Sequence, residues 1–334
     1  MKGTDLHMKI SRKILIPLSS ILVIGLVVLV VNITGTKAPK EVVLVTHDSF
    51  VMSKELIADF DKTSGYTLKL LKAGDAGSLT NRLILTKATP IGDAVFGIDN
   101  TFASLATSNQ IIDGSLSPTD FGDVCFNYDK SWFAQRKLAA PTSISQLILP
   151  KYKGLTVLQN PNLSSPGLSF LAASIAKFGN SGWESYWRSL KNNGVKVSNG
   201  WEAAYFTDFS GSSGKGSYPI VLSYASSPAA EVRSNGQSQT ASILDGCFRQ
   251  TEYAGVLKSA KNPAGATAIV KYLLGAKFQG SFPDAMYMYP IVAKTPIPPA
   301  WRNFTKVATQ TYGDKLDFSA NRKIWLAKWS AIFE

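Results

Sequence analysis

Acidic and aromatic side chains stand where the predicted strands of this chain end. In open α/β sheets, ligands bind beyond the carboxyl ends of the strands, so binding chemistry is expected at these positions. Carboxylates supply negative charge, and aromatic rings attract a cation through their quadrupole. The set therefore predicts a site for a flat, cationic ligand. Its polar members are His47, Asp48, Asp75, Asp99 and Ser164, and its aromatic members are Trp201, Tyr205, Tyr224 and Tyr287.

A turn rich in serine and proline adds a second subsite to this prediction. Residues 164–167 precede a predicted helix, and Pro166 suits the first turn of a helix. Free backbone amides at a helix N-terminus favour an anionic group such as a phosphate. Ordinary N-capping by Ser165 explains the same turn equally well, and the two interpretations are compatible.

Motifs for catalysis, nucleotide binding and metal binding are missing from the sequence. The glycine-rich segment 211–217 lacks the spacing of a P-loop, and no H-E-x-x-H, G-x-S-x-G or C-x-x-C occurs. The 35 Lys and Arg residues are scattered, which argues against nucleic-acid binding despite a net charge of +12. The sequence thus predicts a binding protein without a cofactor or resident metal.

Strands and helices alternate along the chain, and this order positions the candidate residues. The β-α-β-α-β order predicts parallel pairing in doubly wound sheets. The chain of 334 residues exceeds the roughly 250–300 residues at which one core stops growing, so two lobes are expected. Strands are predicted at 41–45, 66–71, 93–98, 155–159, 195–197 and 220–224. Helices are predicted at 53–62, 168–178, 183–191, 263–274 and 322–333. A further helix is predicted to begin after Ser78, which would be its N-cap.

The first 40 residues carry an export signal. Lys9, Arg12 and Lys13 precede the apolar run 14–31, which as a helix is about 27 Å long and close to the thickness of a bilayer core. The run is long for a cleaved signal peptide and only a poor cleavage site follows, which favours a membrane anchor and leaves cleavage open. In either case the rest of the chain is expected outside the cytoplasmic membrane.

Segments in chain order carry a family resemblance. They are Thr46-His47-Asp48-Ser49-Phe50, Gly77-Ser78-Leu79-Thr80-Asn81-Arg82-Leu83, Gly97-Ile98-Asp99-Asn100, Asn127-Tyr128-Asp129-Lys130, Ser164-Ser165-Pro166-Gly167-Leu168, Leu222-Ser223-Tyr224 and Met288-Tyr289-Pro290. Through them the chain, from about Glu41 to Trp329, resembles the thiamine-binding proteins of bacterial ABC importers. The resemblance implies an α/β, two-lobed type II periplasmic-binding-protein fold, with two doubly wound sheets joined by hinge crossovers.

The resemblance also implies domain boundaries and partners. Lobe 1 is expected to comprise 41–124 and 249–334, with the C-terminal helices, and lobe 2 to comprise 125–248. Crossovers are expected near 122–128 and 248–256, where Cys125 and Cys247 could lie on neighbouring strands. A disulfide between them is predicted, with two buried thiols as the alternative. The expected partners are thiamine and the ABC permease and ATPase subunits, and the protein is expected to be a monomer.

Roles for single residues follow from the resemblance. Asp75 is expected to bond the aminopyrimidine of thiamine, Trp201, Tyr224 and Tyr287 to enclose its rings, Ser164 to lie near its hydroxyethyl or phosphate tail, and His47 to line the edge of the first lobe. The family commonly has Tyr at position 47 and Trp at position 287. A Trp that some members place near Ser53-Lys54-Glu55 is absent here.

Other functions remain open at this point. A polyamine binder of the same fold would also use acids and rings. An iron(III) binder usually has consecutive tyrosines, but Tyr224 is followed by Ala225. A thiamine-degrading enzyme of this fold needs a cysteine nucleophile and an acidic base, for which Cys125 and Glu252 are the plausible pair.

Overall fold

One nine-stranded sheet runs through residues 40–212 and 216–334, the part of the chain that this computed structural model describes. The predicted export segment, 1–40, lies almost wholly outside those residues. Among them, no helix is long and apolar enough to cross a membrane. The strands are β1 (Glu41–Thr46), β2 (Thr67–Lys72), β3 (Ala94–Asp99), β4 (Ile112–Asp129), β5 (Thr156–Gln159), β6 (Lys196–Ser198), β7 (Ile220–Tyr224), β8 (Thr240–Leu257) and β9 (Tyr289–Pro290).

The strand order contains two parallel groups connected by two long antiparallel strands. The order is β2-β1-β3-β8-β4-β7-β5-β6, with β9 beside β4. β1 pairs in parallel with β2 and β3, and β5 pairs in parallel with β6 and β7. β4 and β8 have 18 residues each and are antiparallel partners at both ends. The two expected doubly wound sheets are therefore one continuous sheet, and the crossovers predicted near 122–128 and 248–256 fall within β4 and β8.

Helices cover the sheet and also begin at its strand ends. They are α1 (Lys54–Ser64), α2 (Ala76–Leu85), α3 (Ala103–Ser108), α4 (Lys130–Gln135), α5 (Ser165–Asn192), α6 (Pro263–Leu273), α7 (Ala276–Gln279), α8 (Phe282–Met286), α9 (Pro299–Phe304) and α10 (Phe318–Phe333). Short 3₁₀ turns span Ile144–Ile148, Pro150–Tyr152 and Ser227–Glu231, and a π-helical turn spans Ala203–Asp208.

The prediction is wrong at the start of α2 and at the break expected within α5. Ser78 is not an N-cap, because α2 begins earlier, at Ala76, where the Asp75 side chain caps the backbone amide. The two helices predicted at 168–178 and 183–191 lie within α5, which is kinked by the non-helical Gly179. Glycine tolerates the positive φ of 72° at this kink. The early start of α2 brings Asp75 to the end of the helix that faces the cleft.

A disulfide joins the two long strands. Cys125 of β4 and Cys247 of β8 are bonded, with their Cα atoms 4.6 Å apart. The ladder between β4 and β8 shifts register between Val124 and Phe126, so the bond lies at an irregular point of this ladder. Both cysteines are buried.

Candidate ligand-binding cleft

A cleft opens where strand ends and helix N-termini of the two halves of the sheet meet. It encloses about 730 Å³ of empty space, including the part open to solvent. His47 follows β1, Tyr224 ends β7 and Glu252 lies in β8. The lining residues are His47, Ser49, Val51, Asp75, Ala76, Ser165, Pro166, Trp201, Glu202, Phe206, Tyr224, Glu252, Ala285, Met286, Tyr287 and Met288. The lining therefore combines aromatic rings with carboxylates, as the sequence predicts.

Three aromatic rings form one wall of this cleft, with Trp201 at the centre. The Trp201 ring lies 6.3 Å from the Tyr224 ring and 5.9 Å from the Tyr287 ring, centroid to centroid. The indole nitrogen of Trp201 donates a hydrogen bond to Ser223 Oγ at 2.9 Å. This bond fixes the orientation of the indole, so its face is preorganised for a flat ligand.

Tyr205 supports Trp201 from behind and does not line the cleft. The two rings are stacked, with centroids 4.8 Å apart and planes inclined by 12°. The Tyr205 hydroxyl donates to Glu231 Oε1 at 2.9 Å. The π-helical turn that follows Trp201 buries the Tyr205 side chain completely, which explains why its predicted contact with the ligand is not seen in the lining.

Asp75 links the two sides of the cleft. One carboxylate oxygen accepts from the amide of Ala76 at 2.6 Å, and the other accepts from the amide of Trp201 at 2.8 Å. Burial raises the pKa of Asp75, and the two amide donors oppose that rise. The carboxylate thus serves as the cap of α2 and as the anchor of the segment that carries Trp201.

His47 and Glu252 form a buried pair within the lining. The distance from His47 Nε2 to Glu252 Oε1 is 3.4 Å. Burial lowers the pKa of His47, but the charge of Glu252 and a hydrogen bond to it outweigh burial, so the pKa is raised above its ordinary value. The pair gives this wall of the cleft both a proton donor and a negative charge.

Three more predicted residues lie outside the lining. Asp48 Oδ1 accepts from the Gly74 amide at 3.0 Å and borders a neighbouring groove instead. Asp99 is fully buried, and its Oδ1 accepts hydrogen bonds from the amide and hydroxyl of Thr101. Burial raises the pKa of Asp99 to about 6. Ser164, the N-cap residue of α5, is also fully buried.

Two residues that follow Ser164 in the chain lie in the cleft, where Ser164 itself was expected. Ser165 and Pro166, at the start of α5, line the cleft. Ser165 is not the N-cap, since the helix includes it. The helix therefore begins earlier than predicted, and Ser165 lines the cleft where Ser164 was expected.

Several lining residues were not predicted as ligand contacts. Glu252 figured only as the base of the enzyme alternative, although its position in an extended segment could have revealed it. Glu202 and Phe206 flank residues that were predicted, and Met286 and Met288 flank Tyr287. Their proximity to predicted residues was the available signal, but side-chain direction in turns is not readable from the sequence.

Two observations in the described part of the chain concern metal ligands other than tyrosine and the reactivity of Cys125. In residues 40–212 and 216–334, no group of three or more His, Cys, Asp or Glu side chains is arranged to hold a metal ion. Cys125 does not line the cleft, and its sulfur is bonded to Cys247. It therefore offers no thiolate to a ligand bound there.

Comparison with known proteins identifies relatives of this chain. A family model described as bacterial extracellular solute-binding protein matches residues 94–306. The thiamine-binding periplasmic protein of Salmonella typhimurium strain LT2 is 27% identical, over 85% of this chain and 90% of its own. That of Brucella melitensis biotype 1 is also 27% identical, over 94% of this chain and 98% of its own.

Solved structures share the fold. A periplasmic thiamin binding protein superposes with a TM-score of 0.76 at 23% identity, covering 90% of this chain and 98% of its own. A ferric binding protein from Campylobacter jejuni superposes with a TM-score of 0.70 at 14% identity, covering 87% and 99%. The predicted α/β, two-lobed type II periplasmic-binding-protein fold is confirmed. With a family model that spans more than half of its length, the chain belongs to the bacterial extracellular solute-binding proteins, which act outside the cytoplasm.

Proposed function

We propose that this protein binds thiamine in the cleft and delivers it to the permease and ATPase subunits of an ABC importer. The observation that carries the proposal is the combination of three rings, Trp201, Tyr224 and Tyr287, with the half-buried carboxyl group of Asp75 and the buried one of Glu252. Thiamine joins a permanently cationic thiazolium ring to an aminopyrimidine. Rings and carboxylates are the groups that hold such a ligand.

Asp75 is the acceptor that we assign to the aminopyrimidine. Its two oxygens already accept one amide each, but a carboxylate offers about four lone-pair positions. An amino group of the ligand can therefore share this carboxylate with Ala76 and Trp201. The relatives named thiamine-binding, which align over most of the chain, support the same ligand.

The N-terminus of α5 is the end of the cleft that we assign to the hydroxyethyl group or to its phosphate esters. Ser165 and Pro166 line the cleft there, and free amides at a helix N-terminus favour a phosphate. His47 and Tyr287 stand where the family commonly has Tyr and Trp, so the cage presents less aromatic surface. The affinities for thiamine and for its phosphates should therefore be compared directly.

The remaining parts of the proposal concern the setting of the protein. We propose that the protein is exported, that its N-terminal segment anchors it to the outer face of the cytoplasmic membrane, and that it works as a monomer without a cofactor. We also propose that it does not degrade its ligand. Thiamine incubated with the protein and a nucleophilic acceptor should stay intact.

Native mass spectrometry of the purified full chain tests the proposed ligand. We expect a one-to-one complex with thiamine, either co-purified or formed on addition, and a second series with thiamine monophosphate. Spermidine and iron(III) are added separately as the ligands of the alternative functions. A complex with spermidine or iron(III), and none with thiamine or its phosphates, would overturn the proposal.

A further inference from the structure

Three carboxyl groups lie in one row across the sheet behind the cleft. Asp99 of β3 is paired with Glu252 of β8, and Glu252 is paired in turn with Asp120 of β4. Directly opposed residues of antiparallel strands have Cβ atoms about 4.5–5.5 Å apart, on the same face of the sheet. Asp99 and Asp120 are fully buried, and Glu252 is the member of the row that lines the cleft.

Asp120 and Glu252 are directly opposed partners in the ladder between β4 and β8, and the charge of Glu252 acts on the carboxyl group of Asp120. One oxygen of Asp120 accepts from the Thr119 hydroxyl at 2.9 Å. Burial, followed by the charge of Glu252 and a hydrogen bond to it, raises the pKa of Asp120 well above its ordinary value. Two adjacent buried carboxylates cannot both be charged. The raised pKa of Asp120 and its place in the ladder favour a neutral Asp120 opposite Glu252.

Glu252 is the carboxyl group through which the row meets the cleft. The Gln250 amide lies 3.4 Å from Glu252 Oε1 and also donates to the Tyr224 hydroxyl at 3.1 Å. The same oxygen of Glu252 lies 3.4 Å from His47 Nε2. These contacts hold the carboxylate beside the aromatic wall, at a distance where it interacts with a bound cation.

We propose that Glu252 is the counter-charge of the cationic ligand, that protonated Asp120 holds it in place, and that ligand binding releases the proton of His47. This inference rests on the proposed function and names the residue that selects a cation there. It differs from the role of Asp75, which holds the uncharged end of the ligand.

The direction of proton movement follows from the groups that face Glu252. In the empty cleft, the proton on His47 balances the charge of Glu252. A permanent cation beside Glu252 repels that proton, so the proton passes to solvent as the ligand enters. Binding that releases protons becomes tighter as the pH rises. The titratable groups around Glu252 lie on five different elements or at their ends. They are His47 after β1, Asp75 before α2, Asp99 in β3, Asp120 in β4 and Tyr224 in β7.

Calorimetry in two buffers of different ionisation enthalpy measures the released protons. Titrating the full chain with thiamine between about pH 6 and pH 8, where histidine titrates, should show proton release and an affinity that rises with pH. Glu252→Gln should weaken binding at least roughly tenfold and remove most of the release, because the counter-charge is lost. Asp120→Asn keeps a neutral hydrogen-bonding group opposite Glu252, so it should bind within about threefold of the parent and release as many protons.

Glu184→Gln is the matched control, because Glu184 pairs with Lys328 on the surface of α5, away from the cleft. It should leave both affinity and proton release unchanged. A parent that binds thiamine without releasing protons, or a Glu252→Gln variant that binds within twofold of the parent, would overturn the inference.

A second measurement keeps the inference separate from the identity of the ligand. The full chain has two histidines, His7 and His47, so a His7→Gln variant assigns the resonances of His47. Glu252→Gln should lower the pKa of His47 in the unliganded protein. An unchanged pKa of His47 would overturn the proposed charge pair. Failure of the parent protein to bind thiamine would instead count against the proposed function. The histidine titration would still test the pair of His47 and Glu252 in that case.

Discussion

Trp201 is the residue on which most of the cleft depends. Its ring contacts Tyr224 and Tyr287 in the lining and Tyr205 behind it. Its amide is held by Asp75 and its indole nitrogen by Ser223. Because both its backbone and its side chain are fixed before a ligand arrives, little side-chain entropy is lost when a ligand stacks on it.

Replacing Trp201 by alanine should weaken thiamine binding. We expect a loss of about 1–3 kcal/mol, roughly tenfold to a hundredfold, from lost burial and lost cation–π attraction. Isothermal titration with thiamine measures it. Trp132→Ala is the control, because Trp132 is a half-buried ring of α4 that lies under Arg136 and outside the cleft. If Trp201→Ala binds thiamine as tightly as the parent protein, Trp201 is not part of the binding site.

Asp75→Asn should lower both affinity and stability. The asparagine keeps one oxygen acceptor but turns an N–H toward an amide donor, either that of Ala76 or that of Trp201. We expect a cost in binding of about 1–3 kcal/mol for the lost charged acceptor. The matched control is Asp317→Asn, since Asp317 caps α10 through the amide of Ala320 but lies outside the cleft. If both variants bind thiamine as tightly as the parent, Asp75 acts only as a helix cap.

Strand β3 must bulge to make room for His47. Its ladder with β8 shifts register between Phe96 and Ile98, and Gly97 at that point has a φ of +96°. A Cβ atom on Gly97 would lie 2.0 Å from Cδ2 of His47. Only glycine therefore fits at this position while His47 keeps its contact with Glu252.

Gly97→Ala tests this packing. Gly114 is a matched control, because its φ of +76° carries a similar backbone cost but no atom lies within 4 Å of an added Cβ. Gly97→Ala should lower the free energy of unfolding by about 1–3 kcal/mol more than Gly114→Ala does, owing to the overpacking. Its thiamine affinity should fall as well, because His47 is displaced. Urea unfolding and calorimetry give the two values, and similar losses in both variants would contradict this account.

The disulfide between β4 and β8 should add stability to the connection between the two parallel groups. Removing a native disulfide typically costs about 2–5 kcal/mol, and we expect a loss in this range for the double variant Cys125→Ser with Cys247→Ser. Denaturant unfolding measures it. The intact mass of the unreduced protein should be two hydrogens below that of the reduced protein, and equal masses would rule the bond out.

Sequence patterns were most informative where a strand is short and wholly buried. β7 was predicted with its observed ends, which placed Tyr224 correctly. The first half of β4 was missed, because polar residues such as Asp113, Ser115 and Ser117 mask its period there. Asp99 was misplaced because the sequence does not show that its carboxylate turns back to bond Thr101.

At the scale of the whole molecule, the cleft exists because two parallel groups share two long strands. β4 and β8 extend from one group to the other, so strand ends from both groups meet at their middle. The alternation of elements predicted the two groups but not their union in one sheet, since pairing between strands more than 100 residues apart leaves no local pattern. The lobe boundaries near 125 and 248 remain a prediction.

Affinity for thiamine is the most direct test of the central claim. Isothermal titration of the full chain with thiamine should give a stoichiometry of one and a dissociation constant that added spermidine or iron(III) does not change. Saturable binding of spermidine or iron(III), with no heat from thiamine or its phosphates, would contradict the account.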